Sequence, residues 1–566
     1  MVMTNVVKKE TLRKVQLETL NTLKNVLAKS FGPFGSNTII YKNGGLPRYT
    51  KDGHTILSSL MFSGDIERSV HSDILEETST QAKKVGDSTT SITILSALIF
   101  EKLAKLEASN NIPPKDLEEA FKNVTTKIKK EILKHAKTTT VEDMYKIALI
   151  STNNNEDFAN EIKHVYNEYG NDVYIDVKAS VNGTTYLKEL NGMILDCGTL
   201  DPIFTNNPET NSCDILSPKI YKFIDPIDDM EMGQLLDTII SDNIIKPMSN
   251  KKPVIPTIIM APKISRDFSR TIDTIMDFLA RSSNSNKGYF NIITNITSAD
   301  MEQYEDICTM CGCRDIKKYI DPKVYEMDVK NGNAATVKNV HKFAGTAEMV
   351  SSDINKSKFI NPAAMYNEDG SYSDLYKNRL EWLENQVKKL EIEGNNTIDI
   401  YNVKKRLNSF KGKMVEIYVG GITVADRDQA RDLMEDAVLN CRSASKNGFG
   451  FGANYEGLRA ADIVSTYETN SELENNIACE IFNAYKEISK ILYLSVVNNE
   501  DEVREIIDLS IVSNDGPMNI RTKKWDGSVL SSIDTDICTI DTISKIVTIM
   551  ATANQFLMSN INNNIY

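Results

Sequence analysis

Residues Val85-Gly86-Asp87-Ser88-Thr89-Thr90-Ser91 put one acid and four consecutive hydroxyl side chains at a single point of the chain. Directly behind them runs an apolar stretch from Ile92 to Leu106, in which Leu95, Leu98, Ile99, Leu103 and Leu106 recur at spacings of three and four. That periodicity predicts a buried helix, with Asp87 or Ser88 as its N-cap. Such a helix start gathers unpaired backbone N–H groups, the positive end of the helix dipole and several hydroxyls, which is the chemistry of a phosphate site. A bare carboxylate would repel phosphate, so Asp87 reads as a ligand for Mg²⁺. An ordinary capped helix start uses the same residue types, and the remainder of the chain has to decide between the two.

Composition narrows the alternatives. The chain has 566 residues, enough for about three or four domains. A hydrophobic content of 41% and a charged content of 25% are those of a globular protein. The net charge is −13, the pI is near 5.2, and there is no basic stripe, which argues against nucleic acid as a partner. No run approaches the ~18 apolar residues that span a bilayer, and Met1 to Glu10 lacks the apolar core of a signal peptide. Eight cysteines without the spacing of a disulfide framework predict a reducing, cytoplasmic setting. Cys308, Cys311 and Cys313 are closely spaced, with His341 as a conceivable fourth metal ligand; buried thiols are the preferred reading.

Along the chain, Leu12 to Lys29 carries a helical stripe that stops at Gly32-Pro33. Residues 37–41 and 47–50 flank Asn43-Gly44-Gly45 as a hairpin that runs into Lys51-Asp52-Gly53. Residues 92–150 read as helices broken at Pro113-Pro114, and short strands follow over 172–177 and 184–190. The centre alternates strand and helix: helices over 230–240 and 264–279, strands over 254–260 and 289–296, and a charged helical pair over 372–409. Pro256 places the first of those strands at an edge or delays its start. Gly420-Gly421 leads into a helix through Asp436, and the last hundred residues are mostly helical, ending in a polar tail expected to be disordered.

These blocks resemble the group I chaperonins, the ring-forming ATP-driven folding machines. Gly32-Pro33-Phe34-Gly35-Ser36-Asn37 is similar to that family's first phosphate loop, and Thr50-Lys51-Asp52-Gly53 to its stem-loop motif. Gly86 to Ser91 resembles its Gly-Asp-Gly-Thr-Thr-Thr signature. Gly192 to Thr210 resembles the start of its apical domain, while Glu435-Asp436-Ala437 and Gly448 to Gly452 resemble the return to its equatorial domain. The blocks occur in family order over nearly the whole chain. Ser88 stands where the family has glycine, Ser91 where it has threonine, and Ala453 and Asn454 where it has two glycines.

The resemblance implies an α+β multidomain chaperonin fold. Residues 1–135 and 447–566 would form a mostly helical equatorial ATP-binding domain, 136–190 and 413–446 a small intermediate domain, and 191–412 an α/β apical domain, with Gly192 and Gly412 as hinges. It implies ATP held by Ser30, Phe31, Gly32, Pro33, Lys51, Ser88, Thr89, Thr90 and Ser91, with Gly452 and Ala453 near the ribose. Asn519 and Asp536 would meet adenine and sugar, Asp534 being the alternative to Asp536. Asp87 would bind Mg²⁺, with K⁺ a further candidate ion, and Asp52 and Asp436 would be catalytic. Unfolded polypeptides would bind Ile203, Phe204, Leu235, Leu236, Ile239, Phe268 and Ile272 as an exposed apolar surface, unless these stripes pack the apical core. The implied assembly is a homo-oligomeric ring, of seven subunits by resemblance, with or without a co-chaperonin lid, in the cytoplasm, or the host's if the source is viral. The alternative is an ATP-binding oligomeric scaffold without a folding role.

Overall fold

The computed structural model describes all residues except 1–2, 42–46, 172, 182, 209–210, 266, 268–269, 282–286, 299, 318–321, 333, 370, 394–402, 404–405, 408–409, 412, 468 and 561–566. Phe268, the Asn43-Gly44-Gly45 turn, the glycine at 412, the turn at 394–396 and the polar tail therefore lie outside the described residues. The chain divides into two compact units: Met1–Asn171, Asp176–Leu187 and Ile417–Tyr566 form the first, and Asp172–Ile175 and Lys188–Glu416 the second.

The first unit is helical and is built around Thr89–Asn110. Ile92, Ile94, Leu95, Leu98, Ile99, Phe100 and Leu103 are all buried, on every side of that helix. A helix apolar all round needs partners all round. They are Lys9–Leu27, Asp65–Val85, Glu472–Tyr493 and Ile533–Thr552, drawn from both ends of the sequence. Pro114–Lys134 starts at the predicted break, with Pro114 in its first turn, where a missing N–H costs nothing. Among the described residues, the unit also holds three two-stranded ribbons. Met3–Lys8 pairs antiparallel with Gln555–Asn560, Thr38–Ile40 with Arg48–Thr50, and Phe449–Phe451 with Leu530–Ser532.

The second unit has a mixed sheet. Lys219–Phe223, Thr257–Met260 and Phe290–Ile293 run parallel; Gly345–Ser352 and Ser357–Pro362 join them antiparallel. Thr257–Met260 is central, paired on both sides, so Pro256 delays the strand rather than marking an edge. The helix expected over 264–279 begins later, at Arg270.

The expected polypeptide-binding surface needs correction. Phe204, Leu236, Ile239 and Ile272 are fully buried, Leu235 is nearly so, and Ile203 is half-buried and packed against the same core. The stripe on Met230–Ile240 faces inward, because a helix beside a sheet buries the face with the most apolar area. Phe204 meets Phe290 edge to face at 5.7 Å. Phe204→Ala is therefore expected to destabilise the protein by about 3–5 kcal/mol, read as a shifted denaturation midpoint.

Cys308 and Cys311 are buried, and burial pushes both thiols up in pKa, away from the thiolate that a metal would need. The ring nitrogens of His341 are spoken for: Nδ1 lies 3.0 Å from the Tyr221 hydroxyl and Nε2 3.1 Å from Asp242 Oδ2.

Candidate functional site

Segments from both ends of the chain, all within the first unit, line a cavity of about 330 Å³, a volume that suits a small-molecule ligand. Ser30, Phe31, Gly32 and Pro33 enter it from the turn after Lys9–Leu27. Lys51 and Asp52 reach it at the end of the Arg48–Thr50 strand, and Asp87, Ser88, Thr89, Thr90 and Ser91 at the start of the central helix. Asp436 comes from the helix Val424–Asn447. Gly452 and Ala453 follow the strand Phe449–Phe451, Asp536 lies in the first turn of the helix Ile533–Thr552, and Asn519 comes from the loop before Leu530–Ser532. Every residue expected to bind or act on nucleotide thus lines one cavity.

Two helix N-termini meet there. Asp52 caps Gly53–Ser59, accepting from the His54 N–H at 3.3 Å and the Thr55 N–H at 2.6 Å. A Cβ on Gly53 would stand 2.1 Å from Thr90 Oγ1, so this position has room for glycine alone. The second helix starts after Ser88, which is left-handed at φ +76°. The Ser88 hydroxyl caps none of the following N–H groups, and its own N–H donates to Asp87 Oδ1 at 2.6 Å. Both helix dipoles direct positive potential into the cavity, as an anion requires.

Opposing this is a group of acids. Asp87 is open to solvent within the cavity, yet the surrounding protein raises its carboxyl pKa. Asp436 is raised well above the usual carboxylate range, first by desolvation and then by repulsion from Asp87, Asp52, Asp432 and Glu435. Asp536, buried, is raised by desolvation and then by Glu456 and Asp87. The buried Thr535 hydroxyl has no protein partner. Acids, an unpaired hydroxyl and two helix N-termini in one cavity are a donor set that fits a divalent cation carried by phosphate. Among the described residues, no three His, Cys, Asp or Glu side chains form a metal cage by themselves. Mg²⁺ would then take Asp87 together with phosphate oxygens and water, its usual manner of binding. Asp534 is excluded from the cavity wall and accepts from Ser443 Oγ at 2.7 Å, which leaves Asp536 as the member of the pair at the site.

Several lining residues were missed from sequence. Asn153 and Asn154 are both left-handed, at φ +56° and +67°. Asparagine tolerates that conformation, so the Asn153-Asn154-Asn155 run was a usable signal. The amide of Asn519 is spent inside its own loop, donating to Ser528 Oγ at 2.7 Å and accepting from the Arg521 N–H at 3.0 Å. Ile520 and Arg521 join the wall beside it. Arg521 donates to the Asn153 carbonyl at 3.2 Å and its guanidinium lies 5.3 Å from the Phe34 ring centre.

Ala453 and Asn454 are both at φ +59°. With Ser88, three residues that stand where the resemblance implies glycine therefore have a glycine-like backbone. Such conformations cost roughly 1–2 kcal/mol in a non-glycine residue, Asn less than the others. The flexibility that glycine adds to the unfolded chain offsets part of the relief. Ser88→Gly and Ala453→Gly are each expected to stabilise the protein by about 1 kcal/mol. Denaturant midpoints at constant slope will measure this, and a midpoint moving downward would contradict the strain.

Residues 23–217 match the TCP-1/cpn60 chaperonin family. Over nearly its full length the chain has the fold of a chaperonin. It is similar to the chaperonin gp146 from bacteriophage EL of Pseudomonas aeruginosa, in a crystal grown in the presence of ATP-BeFx. The TM-score is 0.71 at 16% identity, over 98% of this chain and 99% of that one. A second crystal form of the same phage protein gives a TM-score of 0.62 over the same shares. The α+β multidomain chaperonin fold expected from sequence is therefore the fold observed. Among the described residues no helix is long and apolar enough to cross a membrane.

Proposed function

We propose that this chain is the subunit of an ATP-driven chaperonin ring that captures non-native polypeptides and promotes their folding. The observation that carries the reading is the one cavity that brings two helix N-termini together with Asp87, Asp436 and Asp536. In this reading the main-chain N–H groups at Thr89, Thr90 and Ser91 and the Gly32-Pro33 turn hold the phosphates, and Lys51 adds positive charge. Mg²⁺, when bound, would offset the charge that develops on the transferred phosphoryl group. Asp52 already accepts two backbone N–H groups, so its carboxylate is fixed in orientation. Asp436 is the carboxylate placed to orient the attacking water and accept its proton.

The tripartite arrangement of equatorial, intermediate and apical domains belongs to the same proposal. Hydrolysis waits on the segment that carries Asp436, and domain movement follows from that coupling. Polypeptide capture would use apolar side chains exposed on the second unit, such as Met230 (67% exposed) and Phe278 (41%), in place of the buried stripes. Supporting the proposal are the chaperonin fold and the convergence of the motif residues.

Calorimetry with ATP in the presence and absence of Mg²⁺, phosphate release, and particle imaging with and without ATP test the reading together. It predicts Mg²⁺-dependent binding, turnover, and rings whose apical domains move. Nucleotide binding without turnover, movement or client capture would replace it with a passive scaffold.

A further inference from the structure

Asp432 lies on the helix Val424–Asn447 one turn before Asp436, and both line the cavity. Positions four apart share a helix face, so an anchor on one orients the other. Across from Asp432 stands Arg48, the first residue of the strand that runs into Lys51 and Asp52. Arg48 Nη2 is 3.6 Å from Asp432 Oδ2, while Arg431 Nη2 occupies Oδ1 at 3.0 Å. Arg431 rides on the same helix, so it cannot hold that helix to anything. Arg48 can, because it belongs to a separate element, the strand Arg48–Thr50.

The surroundings give this contact a purpose. Asp87, Asp52, Asp432 and Glu435 all surround the Asp436 carboxyl. Asp52 and Asp87 stand on other segments than Asp436, so an ionised Asp436 meets like charge across the cavity. We infer that Arg48 and Asp432 form a positioning pair: the ion pair draws this turn of the helix onto the strand and raises the fraction of time that Asp436 faces the nucleotide. Neither residue needs to touch substrate for this. Both side chains are partly exposed, at 53% and 30%, so the attraction is modest and salt-sensitive. The inference rests on the hydrolytic reading above.

Charge reversal tests it. Arg48→Asp, Asp432→Arg and the double exchange are compared for kcat, for KM and for nucleotide affinity, with a thermal melt to verify folding. Loss of a partly exposed pair corresponds to about a two- to fivefold fall in kcat, and reversal, which adds repulsion, to about tenfold. Nucleotide affinity should stay within about twofold, since phosphate is held elsewhere. The double exchange should return kcat to within about threefold of the starting protein, and Arg48→Lys should retain part of it. A double exchange no faster than either single reversal would overturn the pairing, as would single reversals that leave kcat unchanged. Absence of phosphate release from the unaltered protein would instead overturn the hydrolytic reading.

Discussion

Asp436→Asn is expected to lower phosphate release by about 10²- to 10³-fold, leave nucleotide binding nearly intact, and raise the melting temperature of the nucleotide-free protein. The first effect follows from removing the proton acceptor while keeping the side-chain shape. The third follows from the carboxyl's raised pKa in the folded state, caused first by desolvation and then by Asp87, Asp52, Asp432 and Glu435. Between the usual aspartate pKa, about 3.9, and the raised value, the folded protein holds a proton that the unfolded chain has released. The associated stability is complete below the lower value and is lost as pH rises through the upper one. Asparagine never ionises, so its advantage should be absent near pH 4 and grow toward pH 8. Thermal melts across that range, paired with single-turnover hydrolysis, check both parts. A variant that is slower but no more stable at high pH would mean that Asp436 is already neutralised by an unrecognised partner. Unchanged turnover would remove it from the chemistry altogether.

Gly86→Ala is expected to disturb both nucleotide binding and turnover, because it acts on two constraints at once. Gly86 has φ +71°, and a Cβ there would lie 2.7 Å from Leu439 Cβ and 2.8 Å from the Asp436 carbonyl oxygen. The conformational part costs roughly 1–2 kcal/mol and the steric part about 1–3 kcal/mol. Relief requires the Asp436 helix to retreat or the Asp87 loop to shift, and either spoils the site. Gly332 separates the terms: it has the same φ of +71° with nothing within 4 Å of its added Cβ. Gly332→Ala should show only the conformational cost and keep turnover. Equal losses in the two variants would show that the close approach at Gly86 is unimportant.

The end of the cavity proposed to hold phosphate was legible in the sequence because phosphate binding demands particular residue types. Glycine permits close backbone approach, hydroxyls and helix N-termini supply donors, and a carboxylate answers the metal; Gly32, Gly53 and the 86–91 stretch all carry that mark. The opposite end was less legible. Ile520, Arg521 and Asn153 reach the wall through loop geometry, and Asn519 turned out to brace its own loop. Asp432 gave no warning, since its partner Arg48 is nearly four hundred positions away. The apical stripes show a different limit. Leu235, Leu236 and Ile239 have the same spacing whether they face a sheet or a client, and only the neighbouring strands reveal that they face inward. Ser88, Ala453 and Asn454 show a third: their residue types do not announce the left-handed backbone that they adopt.

The first unit is assembled from both ends of the chain, with the second unit's residues between them. During synthesis, the central helix ending at Asn110 leaves the ribosome roughly 300 residues before Ile417 begins the returning half. At about 5–20 residues per second, that is an interval of roughly 15–60 s. Throughout it, a helix apolar on every side lacks the partners Glu472–Tyr493 and Ile533–Thr552. The inserted unit can finish folding in that interval; the surrounding one cannot. This order of events makes the nascent chain itself a client for holding chaperones, and cooling during expression should raise its soluble yield by slowing aggregation of the waiting half.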